Sequence, residues 1–127
     1  MPTLEQIGSE KYALLTTFRK DGRAVATPVW VLPAGTGVAF WTETDSWKVK
    51  RVRNNPRVTV AACDFRGNVL GEQVEGTARI GTDAERDHFA GVLGRKYWVV
   101  GLMGMLRYRL TRSRNRITVI IVDPIQP

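Results

Sequence analysis

Trp41-Thr-Glu-Thr-Asp-Ser-Trp-Lys-Val-Lys-Arg-Val-Arg-Asn-Asn-Pro-Arg-Val-Thr-Val60 decides how this chain is read. It opens as an alternating aromatic strand and runs into a turn of small polar residues. A short basic helix follows, stopped by Asn54-Asn55-Pro56, and a second strand begins at Arg57. Lys48, Lys50, Arg51, Arg53 and Arg57 all fall here, with no acid between Asp45 and Asp64. Thr44, Asp45 and Ser46 place a cap at the helix start, and Lys48 lies in the first turn, which is the arrangement that holds a phosphate. A solvated basic face accounts for the charges equally well, and on charge alone it is the better reading.

Outward from this stretch, strand signals dominate. Tyr12 to Phe18 and Arg23 to Val31 are β-rich runs joined through Lys20-Asp21-Gly22, a hairpin signal. Leu32 to Gly37 reads as a second turn; its Gly35-x-Gly37 lacks the rest of a dinucleotide fingerprint. Val38 to Thr42, Arg57 to Phe65, Val69 to Ile80 and Arg116 to Val122 complete six strands at hairpin spacing. The pattern predicts a mainly β, antiparallel sheet or barrel. Helices are expected over Leu4 to Lys11, from the capping box Thr82-Asp-Ala-Glu85 to about Gly94, and over Tyr97 to Leu110. No linker or repeat divides residues 1–127, so a single domain is expected.

Composition narrows the chemistry. The chain has 127 residues, 43% hydrophobic and 24% charged, as expected of a soluble globular domain. No signal peptide is read at the N-terminus, and no apolar run reaches membrane-spanning length, so no stable membrane insertion is expected. The lone Cys63 suits a reducing cytoplasm and offers neither a disulfide nor a zinc framework. With His88 the only histidine, a metal cluster or a Ser-His-Asp triad is not supported. An enzyme of this composition would rely on a cofactor. The net charge of +7 is uneven: no acid occurs between His88 and Val122, where seven cations lie from Arg95 to Arg116. Such a field attracts phosphates, nucleic acid, an anionic membrane or an acidic cofactor.

Other residues admit two readings. Pro28, within Thr27-Pro28-Val29-Trp30, removes a ladder donor and marks an edge or a bulge, whose backbone could border a planar ring. An ordinary edge strand with a core tryptophan fits better. Trp41 and Trp47 could wall a ligand or pack in a core or interface. Gln73 and Glu75 could face a ligand or solvent. Tyr97 to Arg107, an apolar run closed by a cation, reads best as a helix packed on the barrel or on a partner subunit.

The motifs Tyr12-Ala-Leu-Leu-Thr-Thr, Asp21-Gly-Arg-Ala-Val-Ala-Thr-Pro-Val-Trp30, Val38-Ala-Phe-Trp-Thr42, Ser46 to Arg57 and Val74-Glu-Gly-Thr-Ala-Arg79, in this order, resemble the split β-barrel flavin and deazaflavin oxidoreductases. That superfamily includes pyridoxamine 5′-phosphate oxidase, and the closer resemblance is to its actinobacterial F420-dependent branch. The resemblance spans residues 10 to 80 and implies a six-stranded antiparallel split β-barrel of Greek-key, FMN-binding type with flanking helices. It further implies a cytoplasmic homodimer with cofactors bound at the subunit interface. Lys48 would contact the cofactor phosphate, with Ser46, Trp47, Val49 and Lys50 around it. Thr27, Pro28, Val29 and Trp30 would border the ring system, and Thr42 the ribityl chain. The oxidase branch carries basic residues in its second strand, where this chain has Ala26-Thr-Pro-Val-Trp-Val31. F420 is therefore expected before FMN, its polyanionic tail giving Arg51 and Arg53 a use. The expected activity is hydride transfer to a small unsaturated organic substrate. No general acid is assigned; solvent, Tyr97 and His88 are the candidate proton sources. The rivals are an FMN- or haem-binding relative, a non-catalytic F420 carrier, and a nucleic-acid-binding barrel, for which no motif is present.

Overall fold

In the computed structural model, which describes residues 2–97 and 117–125, six strands close an antiparallel barrel. The strands are β1 (Tyr12–Phe18), β2 (Ala24–Ala34), β3 (Gly37–Glu43), β4 (Arg57–Cys63), β5 (Val74–Ile80) and β6 (Ile117–Pro124). Around the barrel they run β1-β2-β3-β6-β5-β4, so two meanders are joined edge to edge by the β1–β4 and β3–β6 pairs. Among the described residues three helices accompany them: α1 (Leu4–Ile7), α2 (Trp47–Asn54) and α3 (Asp83–Lys96).

Strand alternation sorts the apolar residues into two layers. Leu15, Val31, Val38, Phe40, Val58, Val60, Ile120 and Val122 fill the barrel interior, closed off by Leu4 and Ile7 of α1 and Val49 and Val52 of α2. The opposite face of β2, β3 and β6 presents Leu32, Ala39, Val119 and Ile121 to Phe89 and Leu93 of α3. Trp30 and Trp41 pack into this outer layer, so both are chiefly packing tryptophans.

The barrel is split along one seam. β2 pairs with β1 from Ala24 to Trp30, but takes β3 as a neighbour only from Val31 to Ala34. Beyond Phe40, β3 pairs with β6 alone. The Ala24–Trp30 edge and residues Trp41–Glu43 therefore diverge, and Pro28 sits where no described strand requires its missing N–H.

Several boundaries differ from the sequence expectation. α1 ends at Ile7 rather than Lys11, and β2 continues through Pro33 to Ala34. Of Gly35 and Gly37, the first takes the left-handed turn conformation (φ 62°). Gly37 starts β3 instead, where a Cβ would overlap the Val122 carbonyl. β5 begins at Val74, not Val69. Residues 64–73 form a loop held by Asp64, whose carboxylate accepts from the Arg66 and Asn68 amides, with one bridge from Cys63 to Val69. The expected helix Tyr97–Leu110 lies outside the described residues beyond Tyr97, as do the cations from Arg107 to Arg116.

Candidate functional site

The seam ends at α2, and local chemistry fixes that junction. Ser46 is the N-cap of α2, its hydroxyl accepting from the Val49 amide at 3.4 Å. Thr42 Oγ1 and Ser46 Oγ lie 3.3 Å apart, tying the end of β3 to the helix start. Lys48 is half-buried beside them, its pKa lowered first by burial and then by the charge of Arg51, against the opposing pull of Glu43. Thr42, Ser46 and Lys48 thus stand at one end of the seam, and the open β2 edge over Thr27–Trp30 forms its bank.

Val49 belongs to the core. Its side chain is fully buried and its amide is engaged by Ser46, so it can contribute to a ligand only through its position.

On the neighbouring face of α2, a cavity of about 430 Å³ is lined by Trp47, Lys50, Arg51 and Asn54 together with Arg19 and Lys20 from the β1–β2 turn. Four cations and no acid line it. Arg51 is aimed by its neighbour: Nε donates to Thr17 Oγ1 at 2.6 Å, and Thr17 is fully buried. Burial, then the charge of Arg19, lowers the Arg51 pKa. Trp47 is 69% exposed, with the Lys50 ammonium 4.4 Å from its ring centroid. Like charges held together with no internal counter-charge are favourable only toward an anion. Arg53, two residues past Arg51, turns to the far side of the helix and lines none of this cavity.

Arg19, Lys20 and Asn54 were not in the expected set. Their signal lies in topology: β1 and β3 run the same way, which brings the β1–β2 turn and the β3–α2 junction to one end of the barrel. Other expected residues fall elsewhere. Gln73 is exposed, and Glu75 pairs with Arg57 at 2.9 Å. The Tyr97 hydroxyl is directed at main-chain carbonyls, Lys11 O at 2.6 Å and Val31 O at 2.9 Å, and burial first pushes its phenol up to about 12. His88 is exposed on α3, edge-on to Phe89. Among the described residues no cluster of His, Cys, Asp and Glu could hold a metal, and no helix is long and apolar enough to cross a membrane.

A family model described as pyridoxamine 5′-phosphate oxidase matches residues 3–122. No curated protein matches the sequence. Among solved structures, the fold is similar to a protein described as an F420 reductase (18% identity, TM-score 0.68, covering 99% of this chain and 97% of that one). It is similar too to a conserved hypothetical protein of Mycobacterium tuberculosis (20% identity, TM-score 0.66, 94% and 76% covered). A third is HutZ, a haem storage protein of Vibrio cholerae (12% identity, TM-score 0.60, 93% and 84% covered). At these identities the likeness is one of fold.

Proposed function

Because the chain belongs to the pyridoxamine 5′-phosphate oxidase family, we propose that its seam is a cofactor groove, that the cofactor is F420, and that the protein is an F420-dependent reductase of a small unsaturated organic substrate. The acid-free cavity beside α2 carries this reading. A deazaflavin with an oligoglutamate tail presents a phosphate and several carboxylates in a row. The residues present fit that sequence of anions: Ser46 and Lys48 at the phosphate, then Lys50, Arg51, Arg19 and Lys20 along the tail. FMN ends at its phosphate and leaves those four cations unmatched.

The cofactor, when bound, supplies the hydride. The chain's contribution is to bind and orient it. Thr27, Pro28, Val29 and Trp30 offer a backbone edge to the ring system, and Thr42 a hydroxyl to the ribityl chain. With no proton donor assigned within the described residues, the proton is drawn from solvent. A haem reading is disfavoured, because His88, the only histidine, sits exposed on α3 away from the seam.

Titrating the purified protein with F420, FMN, haem and a short oligonucleotide tests this. F420 is expected to bind tighter than FMN, and Lys48→Ala to weaken it about tenfold or more. Shortening the tail should weaken binding in wild type and weaken it less in an Arg51→Gln variant, which has lost one of the four cations. FMN copurifying at one per chain would overturn the choice of cofactor.

A further inference from the structure

Three main-chain carbonyls, two from the α1–β1 connection and one from β2, converge on one ammonium. Lys96 Nζ, on the last turn of α3, donates to Gly8 O at 2.8 Å, to Val31 O at 2.7 Å and to Glu10 O. The adjacent Tyr97 hydroxyl lies 2.6 Å from Lys11 O and 2.9 Å from Val31 O, its single proton shared between them. The Tyr97 ring stacks on Trp30, with centroids 4.7 Å apart and planes 11° from parallel.

These contacts meet at one point of the fold. Trp30 is the last residue of the β2 run that lacks β3 as a neighbour, and Val31 is the first that has it. The end of α3 is therefore bolted to the root of the seam. Packing alone would hold α3, since Phe89 and Leu93 already bury against β2, β3 and β6. A half-buried ammonium is a costly fastener by comparison, and burial pulls its pKa down to about 8. What it adds is direction, because a three-pronged donor ties the α1–β1 connection, at Gly8 and Glu10, to β2 at Val31.

We infer that Lys96 and Tyr97 are positioning residues that set the opening of the seam, Lys96 by anchoring the Val31 carbonyl and Tyr97 by holding the Trp30 ring. Resting on the reading of the seam as a cofactor groove, this makes the groove's width a property of α3 as well as of the barrel.

Amide hydrogen exchange on the full-length protein without cofactor, paired with F420 titration, tests the inference. In Lys96→Met and Tyr97→Leu, amides of residues 24–31 should exchange about tenfold faster while those of β4 stay within about twofold of wild type. The F420 Kd should rise about tenfold in both. Tyr97→Phe keeps the stacked ring and should fall between them and wild type. Uniform acceleration across the barrel, or unchanged exchange at residues 24–31, would falsify the positioning role. Altered exchange at those residues with unchanged F420 affinity overturns the link to the groove. Should Lys96→Met fail to fold, the two Tyr97 variants decide alone. A wild type that binds neither F420 nor FMN counts against the cofactor reading, and the exchange pattern still decides whether α3 sets the seam.

Discussion

Arg51 serves the barrel and the cavity with different atoms. Its Nε reaches the fully buried Thr17 hydroxyl at 2.6 Å, which leaves the terminal nitrogens of the guanidinium to face the cavity. Arg51→Met should therefore cost about 1–2 kcal/mol of stability, by leaving a buried hydroxyl oxygen without its donor. The double variant Thr17→Val, Arg51→Met should recover part of that loss while still lacking the cavity charge. Urea midpoints of the two variants read this out; equal midpoints would show that the hydrogen bond is not what matters. Ser46 and Lys48 were legible in the sequence because a cap and a first-turn cation follow from spacing alone. The burial of Val49 and the company of Arg19 and Lys20 were not. Both depend on which way α2 faces once it plugs the barrel, and a one-dimensional charge run holds no such information.

Helix α3 shows how one element gathers several stabilising devices. Thr82 and Glu85 form a full capping box, as the sequence led one to expect. Glu85 in addition takes a two-pronged ion pair from Arg79, at 2.8 and 2.9 Å. The Arg79 hydrogen bonds, then the Thr82 amide, lower the Glu85 pKa from 4.5 to about 2. In this window the unfolded chain binds more protons than the folded one. The stabilisation is thus complete above pH 4.5 and lost as pH falls toward 2. Glu85→Gln should flatten that part of the Tm–pH curve relative to wild type, and a curve parallel to wild type would exclude Glu85 as its source. Elements whose contacts are local, such as this cap or the Asp21-Gly22 hairpin, were read correctly from sequence. α1 was read too long: the chain leaves the helix after Ile7, and the Gly8 and Glu10 carbonyls are taken by Lys96, eighty-eight residues beyond Gly8, a contact that sequence spacing does not reveal. β5 was read too long because Asp64 folds the preceding residues into a loop.

The whole molecule carries an apolar surface to match its basic one. Phe65, Val69 and Leu70 are 64%, 56% and 67% exposed, and Gly67 of the same loop lies beside Leu14 and Pro28 on the outer face of β1 and β2. A patch of this kind fits the expected homodimer. Wild type should sediment as a dimer. Leu70→Glu should shift it to monomer and weaken F420 binding together with dimerisation; a monomeric wild type that binds F420 fully would refute a shared groove. The open edge of β2 has another consequence. On the side away from β1, residues 24–30 present backbone groups that no described strand takes up, and such an edge invites the strand of another molecule. Pro28 interrupts it by withholding one donor and thickening the backbone at mid-edge. Pro28→Thr should leave the barrel folded yet raise thioflavin-positive aggregation on prolonged incubation, and bound cofactor should suppress it. The opening needed to admit a ligand is also the place where this fold is most exposed to misassembly, and a single ring guards it.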